Sequence, residues 1–363
     1  MSQRVVLIDI AKGISIGLVV LGHVEIFRVS PLNDAMSLFR MPLFFFLSGV
    51  FFSIAYTPRQ FFLKKSDELL KPYFVTSIGV MLLLGVVAAR HGNLTQVIVQ
   101  MWEAFIGIVY GNRDTIRWGP MWYLTHLWLV FVAAYLLFRF TRLSERRLWV
   151  QILTITGLLI SGKFLAEAVP DVALSTGVGS VSSNGLPFRF DSVLLSLAFF
   201  ASGRLCRQQV VDFQPNTLLC GVALAVFLSI ATFTDALIDL GVARYESPIW
   251  ATLASISGLY VVLTLSYWIA RVSWFSTGLM VLGNGSLFIL IFHYYPLYKI
   301  SQTLENLFGA DLIIVSSALA YVLSILLSLM IRWVILRMKL LSWCYFPIYA
   351  KTRLNRTPAV QTV

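Results

Sequence analysis

Apolar stretches alternate with short polar segments along the whole chain, and many of them reach about 20 residues, the helix length that crosses a bilayer's hydrocarbon layer. The pattern therefore predicts an all-α, polytopic membrane helix bundle of about ten spans. The predicted spans cover residues 5–26, 39–56, 73–90, 120–138, 149–168, 187–203, 215–233, 248–269, 279–298 and 311–336. Within the longest connection, residues 98–110 are apolar and are predicted to form an interfacial helix or a further span.

The composition supports this interpretation. Of the 363 residues, 58% are apolar and 12% are charged, whereas soluble domains have about 45–50% and about 25%. We predict one transmembrane domain over residues 1–343 and a short basic cytoplasmic tail over residues 344–363. The N-terminus lacks the small-residue cleavage site of a removable signal, so the first helix is expected to be retained.

The positive charges indicate the orientation of the bundle. The net charge is +11, and Lys and Arg are concentrated in every second connection and in the tail. Residues 169–186, between the fifth and sixth predicted spans, contain neither. Because basic connections stay in the cytoplasm, both termini are predicted to be cytoplasmic. The same distribution argues against nucleic acid as a partner, since these residues serve as topology signals.

The three cysteines, Cys206, Cys220 and Cys344, are far apart in the sequence and lack the paired spacing of a zinc site or a disulfide framework. We therefore expect neither a bound metal nor a redox cofactor.

The first predicted span contains three ionisable side chains, each of which needs a partner or a hydrated surface within a bilayer. Asp9 and Lys12 are three residues apart, so they could pair on one helical face. Lys12 and His23 are eleven residues apart, which places them on one face about 16 Å apart along the axis. This spacing predicts a stripe with a cation near the cytoplasmic end and an imidazole toward the other side.

Structural roles are the alternative for these side chains. Asp9 and Lys12 could be an interfacial pair that extends toward the lipid headgroups, and His23 could be a packed histidine bonded to a neighbouring helix. His293 has the same alternative, since it lies in an apolar and aromatic stretch.

The aromatic side chains at the start of the fourth span also allow two interpretations. Trp118, Trp122 and Tyr123 lie on the predicted outward side, where their flat faces and polar tips suit a sugar ring. They equally suit the aromatic belt of a membrane protein.

Five separated motifs resemble the acyltransferase 3 family, the membrane-bound O-acyltransferases of surface polysaccharides. The family's opening helix has a basic residue, ten intervening residues and a His, and Lys12 and His23 occupy those places. Arg40 stands where the second helix of the family usually has His, and Lys71 matches its basic segment before the third helix. The motifs are LIDIAKGISIGLVVLGH at 7–23, FRMPLFFFLSGVFF at 39–52, KKSDELLKPYFVTS at 64–77, WGPMWYLTHLW at 118–128 and GLMVLGNGSLFILIFH at 278–293.

The resemblance implies a multi-pass enzyme of the bacterial inner membrane, closest to compact, fucose 4-O-acetylase-like members. It implies acetyl-CoA or another acyl-CoA as the donor, and a polysaccharide or lipid-linked saccharide as the acceptor. His23 would be the general base, since an imidazole accepts a hydroxyl proton near neutral pH, with Asp9 as a second catalytic candidate. Lys12, Arg40 and Lys71 would bind the donor.

The remaining candidates have less specific roles. Trp118, Trp122 and Tyr123 would bind the acceptor. Arg40, Ser48, Asn284 and Ser286 could donate hydrogen bonds to an oxyanion, or each could join helices. The alternative function is a transporter or flippase of a saccharide or lipid intermediate, since such proteins also bury charges and break helices near the midplane. A non-catalytic receptor or scaffold would give no reason for the spacing of Lys12 and His23.

Overall fold

The computed structural model describes residues 3–90, 93–169, 171–175 and 180–347. These residues are mostly helical. The helices are α1 (Gln3–Leu21), α2 (Glu25–Arg28), α3 (Pro31–Val50), α4 (Pro58–Lys65), α5 (Lys71–Ala89), α6 (Leu94–Tyr110), α7 (Trp122–Thr141), α8 (Leu148–Ala168), α9 (Val193–Leu205), α10 (Arg207–Val211), α11 (Thr217–Phe233), α12 (Pro248–Ile269), α13 (Ser273–Phe292), α14 (Tyr294–Phe308), α15 (Ile313–Arg337) and α16 (Lys339–Tyr345). A π-helical turn, Ser66–Leu70, joins α4 to α5.

Two small antiparallel hairpins lie in connections on the predicted outward side. Strand β1 (Asp171–Ser175) pairs with β2 (Ser180–Asn184), and β3 (Leu237–Asp239) pairs with β4 (Arg244–Glu246). The apolar pattern predicts neither hairpin, because both are short and lie between spans.

The described residues contain six helical segments that are long and apolar enough to cross a membrane. They are Pro58–Ala89, Gly119–Thr141, Leu148–Ala168, Pro248–Ile269, Ser273–Phe292 and Ile313–Arg337. Thr217–Phe233 and Leu94–Tyr110 are apolar but shorter, and the other predicted spans correspond to α1, α3 and α9. The polytopic helical class is thus confirmed, whereas the count of ten spans and the side of the termini stay predictions.

The span predicted over residues 279–298 does not exist as one helix. Helix α13 starts earlier, at Ser273, and ends at Phe292, and α14 begins at Tyr294. Pro296 lies in the first turn of α14, where a backbone N–H would have no partner within the helix. Inside a continuous helix, the proline would remove one backbone hydrogen bond. The first span also ends earlier than predicted, at Leu21.

Close helix contacts through glycine hold the centre of the bundle together. A Cβ atom on Gly13 of α1 would collide with the backbone carbonyl of Leu279 in α13, and one on Gly283 would collide with that of Asp9. Small residues let helix backbones approach in this way, which stabilises association within a membrane. His23 and His293, each ten residues after its glycine, are also in contact. The two helices therefore run in the same direction.

The outer surface of the bundle is apolar, as a lipid-facing surface requires. Helix α15 exposes large apolar side chains from Ile314 to Leu336, and α8 exposes Leu148 and Phe164 near its ends. The C-terminal α16 folds back on the bundle, where the Tyr345 hydroxyl lies 3.0 Å from Thr76 Oγ1. The start of the predicted tail therefore packs against α5, and the part beyond residue 347 lies outside the described residues.

Candidate active site

A cavity of about 550 Å³ lies where α1 ends, enclosed by residues of α1, α3, α7, α14 and α15. The cavity is partly open to the outside, since Glu25, Arg28 and Tyr298 of its wall are exposed. Its polar and aromatic lining includes His23, Glu25, Arg28, Asn33, Arg40, Arg113, Trp122, Tyr123, Asp239, Tyr294, Tyr298, Ser301, Gln302 and Glu305.

His23 lies in the turn two residues beyond the end of α1, and its imidazole is partly exposed in the cavity wall. Its backbone N–H donates to the Val20 carbonyl at 3.0 Å, which extends the end of the helix. The ring lies 5.2 Å from the His293 ring and meets the Tyr294 ring edge-on at 5.4 Å, centroid to centroid. Among the described residues, these rings are the side-chain partners of His23.

Arg40, from the middle of α3, lies beside His23. Its guanidinium fills the space over Gly22, where any Cβ would collide with it. The Nη1 donates to Asn33 Oδ1 at 3.0 Å and to the Leu18 carbonyl at 3.4 Å, near the negative end of α1. Arg40 lines the cavity and, within the described part of the chain, it forms no ion pair.

Trp122 and Tyr123 form the aromatic part of the wall. They begin α7 directly after a 3₁₀ turn, Gly119–Met121, whose Pro120 suits the start of a helix. The Tyr123 ring packs against Phe44 at 5.7 Å, centroid to centroid, and the rings of Trp122 and Tyr123 are nearly perpendicular. Both side chains are largely buried and contribute their remaining surface to the cavity.

The other charged groups in the cavity wall have ion-pair or hydrogen-bond partners. Arg28 pairs with Glu25 at 2.8 Å and Arg113 pairs with Asp239 at 3.2 Å, while Glu305 accepts from Ser301 at 2.7 Å. The wall thus offers hydrogen-bond donors and acceptors of both signs.

Lys12 and Asp9 lie outside this cavity. Among the described residues, the lining on α1 starts at Val19, and Ser15 and Ile16 between it and Lys12 are fully buried. The Lys12 ammonium lies 4.9 Å from the centre of the Phe51 ring. Asp9 attracts it electrostatically, but the two make no contact within ion-pair distance in the described structure. Within the described residues, Lys12 is therefore not part of the cavity wall that contains His23.

The other predicted donor-binding residue, Lys71, is bound within the protein. Its ammonium lies 2.5 Å from Asp67 and donates to the Phe346 carbonyl at 2.8 Å. Both contacts hold the π-helical turn and the C-terminal segment together.

Four further candidates do not line the cavity. The Trp118 indole donates to the Ile291 carbonyl at 2.5 Å and stacks on Tyr295 at 5.9 Å. Asn284 is exposed on the outer surface of α13, and Ser286 is partly buried on the same helix without lining the cavity. His293 is fully buried behind His23.

Sequence reasoning missed the contribution of α14. Tyr294, Tyr298 and Glu305 line the cavity from one face of this helix, while Leu307 and Phe308 are exposed. A polar and apolar alternation at helical spacing over Tyr294–Phe308 was the available signal.

No group of three or more His, Cys, Asp or Glu side chains in the described ranges could hold a metal ion.

The comparisons with known proteins gave one result. A family model described as an acyltransferase domain, that of the acyltransferase 3 family, matches residues 5–337. No curated protein and no solved structure matches the chain.

Proposed function

The chain belongs to the acyltransferase 3 family and is an acyltransferase, and on this basis we propose its reaction. We propose that it transfers an acyl group, acetyl foremost, from acyl-CoA to a hydroxyl of a surface polysaccharide or lipid-linked saccharide. The supporting observation is that His23, Arg40 and Trp122 line one cavity. The transporter alternative has no support in the family match.

His23 is the general base in this proposal. A sugar hydroxyl is a very weak acid, so it attacks a thioester only as its proton is accepted. The partly exposed ring of His23 has a free side toward the cavity. As the hydroxyl oxygen forms its bond to the acyl carbon, the proton moves to the imidazole; the C–S bond then breaks and the thiolate of CoA takes that proton.

Arg40 stabilises the negative charge that forms on the carbonyl oxygen. A preorganised donor at such an oxygen lowers the barrier because it needs no rearrangement during the reaction. The contacts of Nη1 with Asn33 and Leu18 fix the guanidinium. Its other N–H groups make no hydrogen bond in the described structure, so they are available to the oxyanion in this proposal.

Trp122 and Tyr123 give the acceptor a surface for one face of a sugar ring, and the matched charges opposite supply partners for its hydroxyls. The volume of about 550 Å³ lies within the range of small-molecule sites. A short saccharide segment fits such a space, whereas a folded protein domain does not.

The donor enters from the cytoplasmic side in this proposal. Lys12 would contact its phosphates, because an ammonium that forms no described ion pair suits an anion. Since Ser15 and Ile16 are buried between Lys12 and the cavity, the proposal requires that this part of the bundle opens when the donor binds. The setting would be a bacterial inner membrane.

The test is acyl transfer by the purified protein in proteoliposomes, with acetyl-CoA labelled in the acetyl group and a panel of saccharides. Label should move to a saccharide with the wild type, and His23→Ala should lower the rate by at least about 100-fold. Label that stays on CoA with every acceptor would contradict acyl transfer to saccharides. Near-wild-type transfer by His23→Ala would remove this residue from the mechanism.

His126→Gln is the matched control. Unlike His23, His126 is fully buried, with Nδ1 3.0 Å from the Phe188 carbonyl and Nε2 2.7 Å from Ser196 Oγ. Both ring nitrogens therefore make hydrogen bonds inside the protein. The variant should lose stability and keep its transfer rate per folded molecule.

A further inference from the structure

His293 occupies a position that the fold defines closely. The Gly13 and Gly283 contact fixes how α1 and α13 lie against each other. Each histidine follows its glycine by ten residues, and the two helices run in the same direction. The crossing of the two helices therefore brings His23 and His293 together.

The two rings differ in exposure. His293 is fully buried, whereas His23 is partly exposed and lines the cavity. Their centroids are 5.2 Å apart with planes tilted by 41°. His293 thus lies directly behind His23, on the side away from the cavity.

The contacts of His293 define its tautomer. Its Nδ1 lies 2.6 Å from the Ile289 carbonyl and 3.1 Å from the Leu290 carbonyl. Carbonyl oxygens only accept hydrogen bonds, so Nδ1 carries the hydrogen and Nε2 of the neutral ring has a lone pair. This Nε2 is buried and has no hydrogen-bond partner among the described residues.

A buried acceptor without a donor is costly, and His23 supplies the nearest ring that can carry an N–H. Two imidazoles joined by an N–H···N bond of about 2.9 Å, with each nitrogen about 1.1 Å from its ring centre, have centroids about 5 Å apart. The observed separation matches this value. In the structure described, the rings are tilted and the bond itself is not made, so a small rotation of His23 would form it.

Building on the proposed function, we propose that His293 is a positioning residue for His23. Its Nε2 accepts an N–H from the imidazole of His23, which holds the ring and directs the other nitrogen, with its lone pair, into the cavity. The same contact stabilises His23 after it has taken the proton from the acceptor hydroxyl. This role corresponds to the third member of a catalytic triad, which orients the base.

Several charged groups face His23 from the surrounding elements and set the background for its titration. They are the cations Arg28, Arg40 and Arg113 and the carboxylates Glu25, Asp239 and Glu305. None of these groups lies on α13, so a change at His293 leaves them in place.

The experiment measures His23 directly and needs no acyl donor. Diethyl pyrocarbonate modifies neutral imidazole, and mass spectrometry of the His23 peptide gives the modification rate against pH. In His293→Leu, protonated His23 loses its acceptor, so the midpoint should move to lower pH by about half a unit or more. His293→Gln places a carbonyl oxygen near the former Nε2, so its midpoint should lie close to the wild-type value. His126→Gln should leave the midpoint unchanged.

Two results would overturn the positioning role. One is an unchanged His23 midpoint in His293→Leu with the protein folded. The other is an equal shift in His293→Leu, His293→Gln and His126→Gln, which would indicate a general loss of packing. Because this assay uses no substrate, its outcome is independent of whether the wild type transfers acetyl to a saccharide.

Turnover in proteoliposomes gives the second measurement. His293→Leu should lower kcat about 10- to 100-fold with KM for the acceptor within about threefold, and His293→Gln should recover most of kcat. A rise in KM with kcat unchanged would contradict the role.

Discussion

The cavity beyond the end of α1 and the basic segment from α4 to the start of α5 use their cations in different ways. In the basic segment, Lys65 lies 2.7 Å from Glu68, Lys71 lies 2.5 Å from Asp67, and the Lys64 ammonium donates to the Tyr56 hydroxyl at 2.8 Å. In the cavity, Arg40 makes two contacts through one nitrogen and forms no described ion pair.

This difference separates cations that hold the fold from one that is available to a ligand. Ion pairs between neighbouring turns stabilise the π-helical turn. The hydrogen bond from Lys71 to the Phe346 carbonyl holds the segment that follows α16. A guanidinium held by neutral oxygens keeps its charge for the reaction, which is the arrangement that electrostatic catalysis requires. Basic residues in or near a family motif can therefore have different roles, and the partners of each one distinguish a structural role from ligand binding.

The largest effect should follow from Arg40→Leu. Loss of a preorganised donor at the oxyanion should lower kcat for acyl transfer about 100- to 1000-fold. Arg40→Lys should recover part of this loss, since it keeps the charge and loses the planar donor geometry. The measurement is turnover of labelled acetyl-CoA in proteoliposomes.

Arg139→Leu is the matched control, because Arg139 is exposed in the last turn of α7, far along the chain from the cavity residues of that helix. It should leave kcat within about twofold. Equal losses in Arg40→Leu and Arg139→Leu would contradict the distinction between available and structural cations.

A smaller effect, on stability, should follow from Gly13→Ala. The new methyl group would collide with the Leu279 carbonyl, and overpacking of this kind costs about 1–3 kcal/mol. Gly157→Ala on α8 is the control, because a Cβ there meets no atom within 4 Å. That variant should be neutral or stabilised by up to about 1 kcal/mol. Thermal unfolding in detergent measures both, and equal melting temperatures would exclude a tight crossing of α1 and α13.

The smallest effect on donor binding should follow from Lys71→Met. Since its charge is already paired with Asp67, KM for acetyl-CoA should change by no more than about twofold, while stability falls by about 1–3 kcal/mol. Lys12→Met, which removes an ammonium without a described ion pair, should raise the same KM about tenfold. A tenfold rise in KM for Lys71→Met would restore Lys71 as a donor-binding residue.

The apolar pattern predicts most of the helices because lipid-facing helices need about 20 apolar residues. Each predicted span contains a helix, and α12 has the predicted ends, residues 248 and 269. The break at His293 was not predicted, because the residues around it stay apolar and aromatic across the break. Pro296 was the sole local sign.

The site was predicted in part. His23, Arg40, Trp122 and Tyr123 meet in one cavity, and the sequence had singled out all four. The pairing of Lys71 with the Phe346 carbonyl joins positions 275 residues apart, and the contact of His23 with His293 depends on the crossing of α1 with α13. Such contacts follow from tertiary packing, which one sequence without its fold does not reveal.

The contact between α1 and α13 joins the start of the chain to its last third. About 250 residues separate the end of α1 from α13, and at ribosomal rates of about 5–20 residues per second their synthesis takes on the order of 10–50 s. During that time, the nascent first helix waits in the bilayer or its insertion machinery with its glycine face unpaired. A message truncated before codon 273 would therefore encode a first helix whose glycine face has no α13 to pack against.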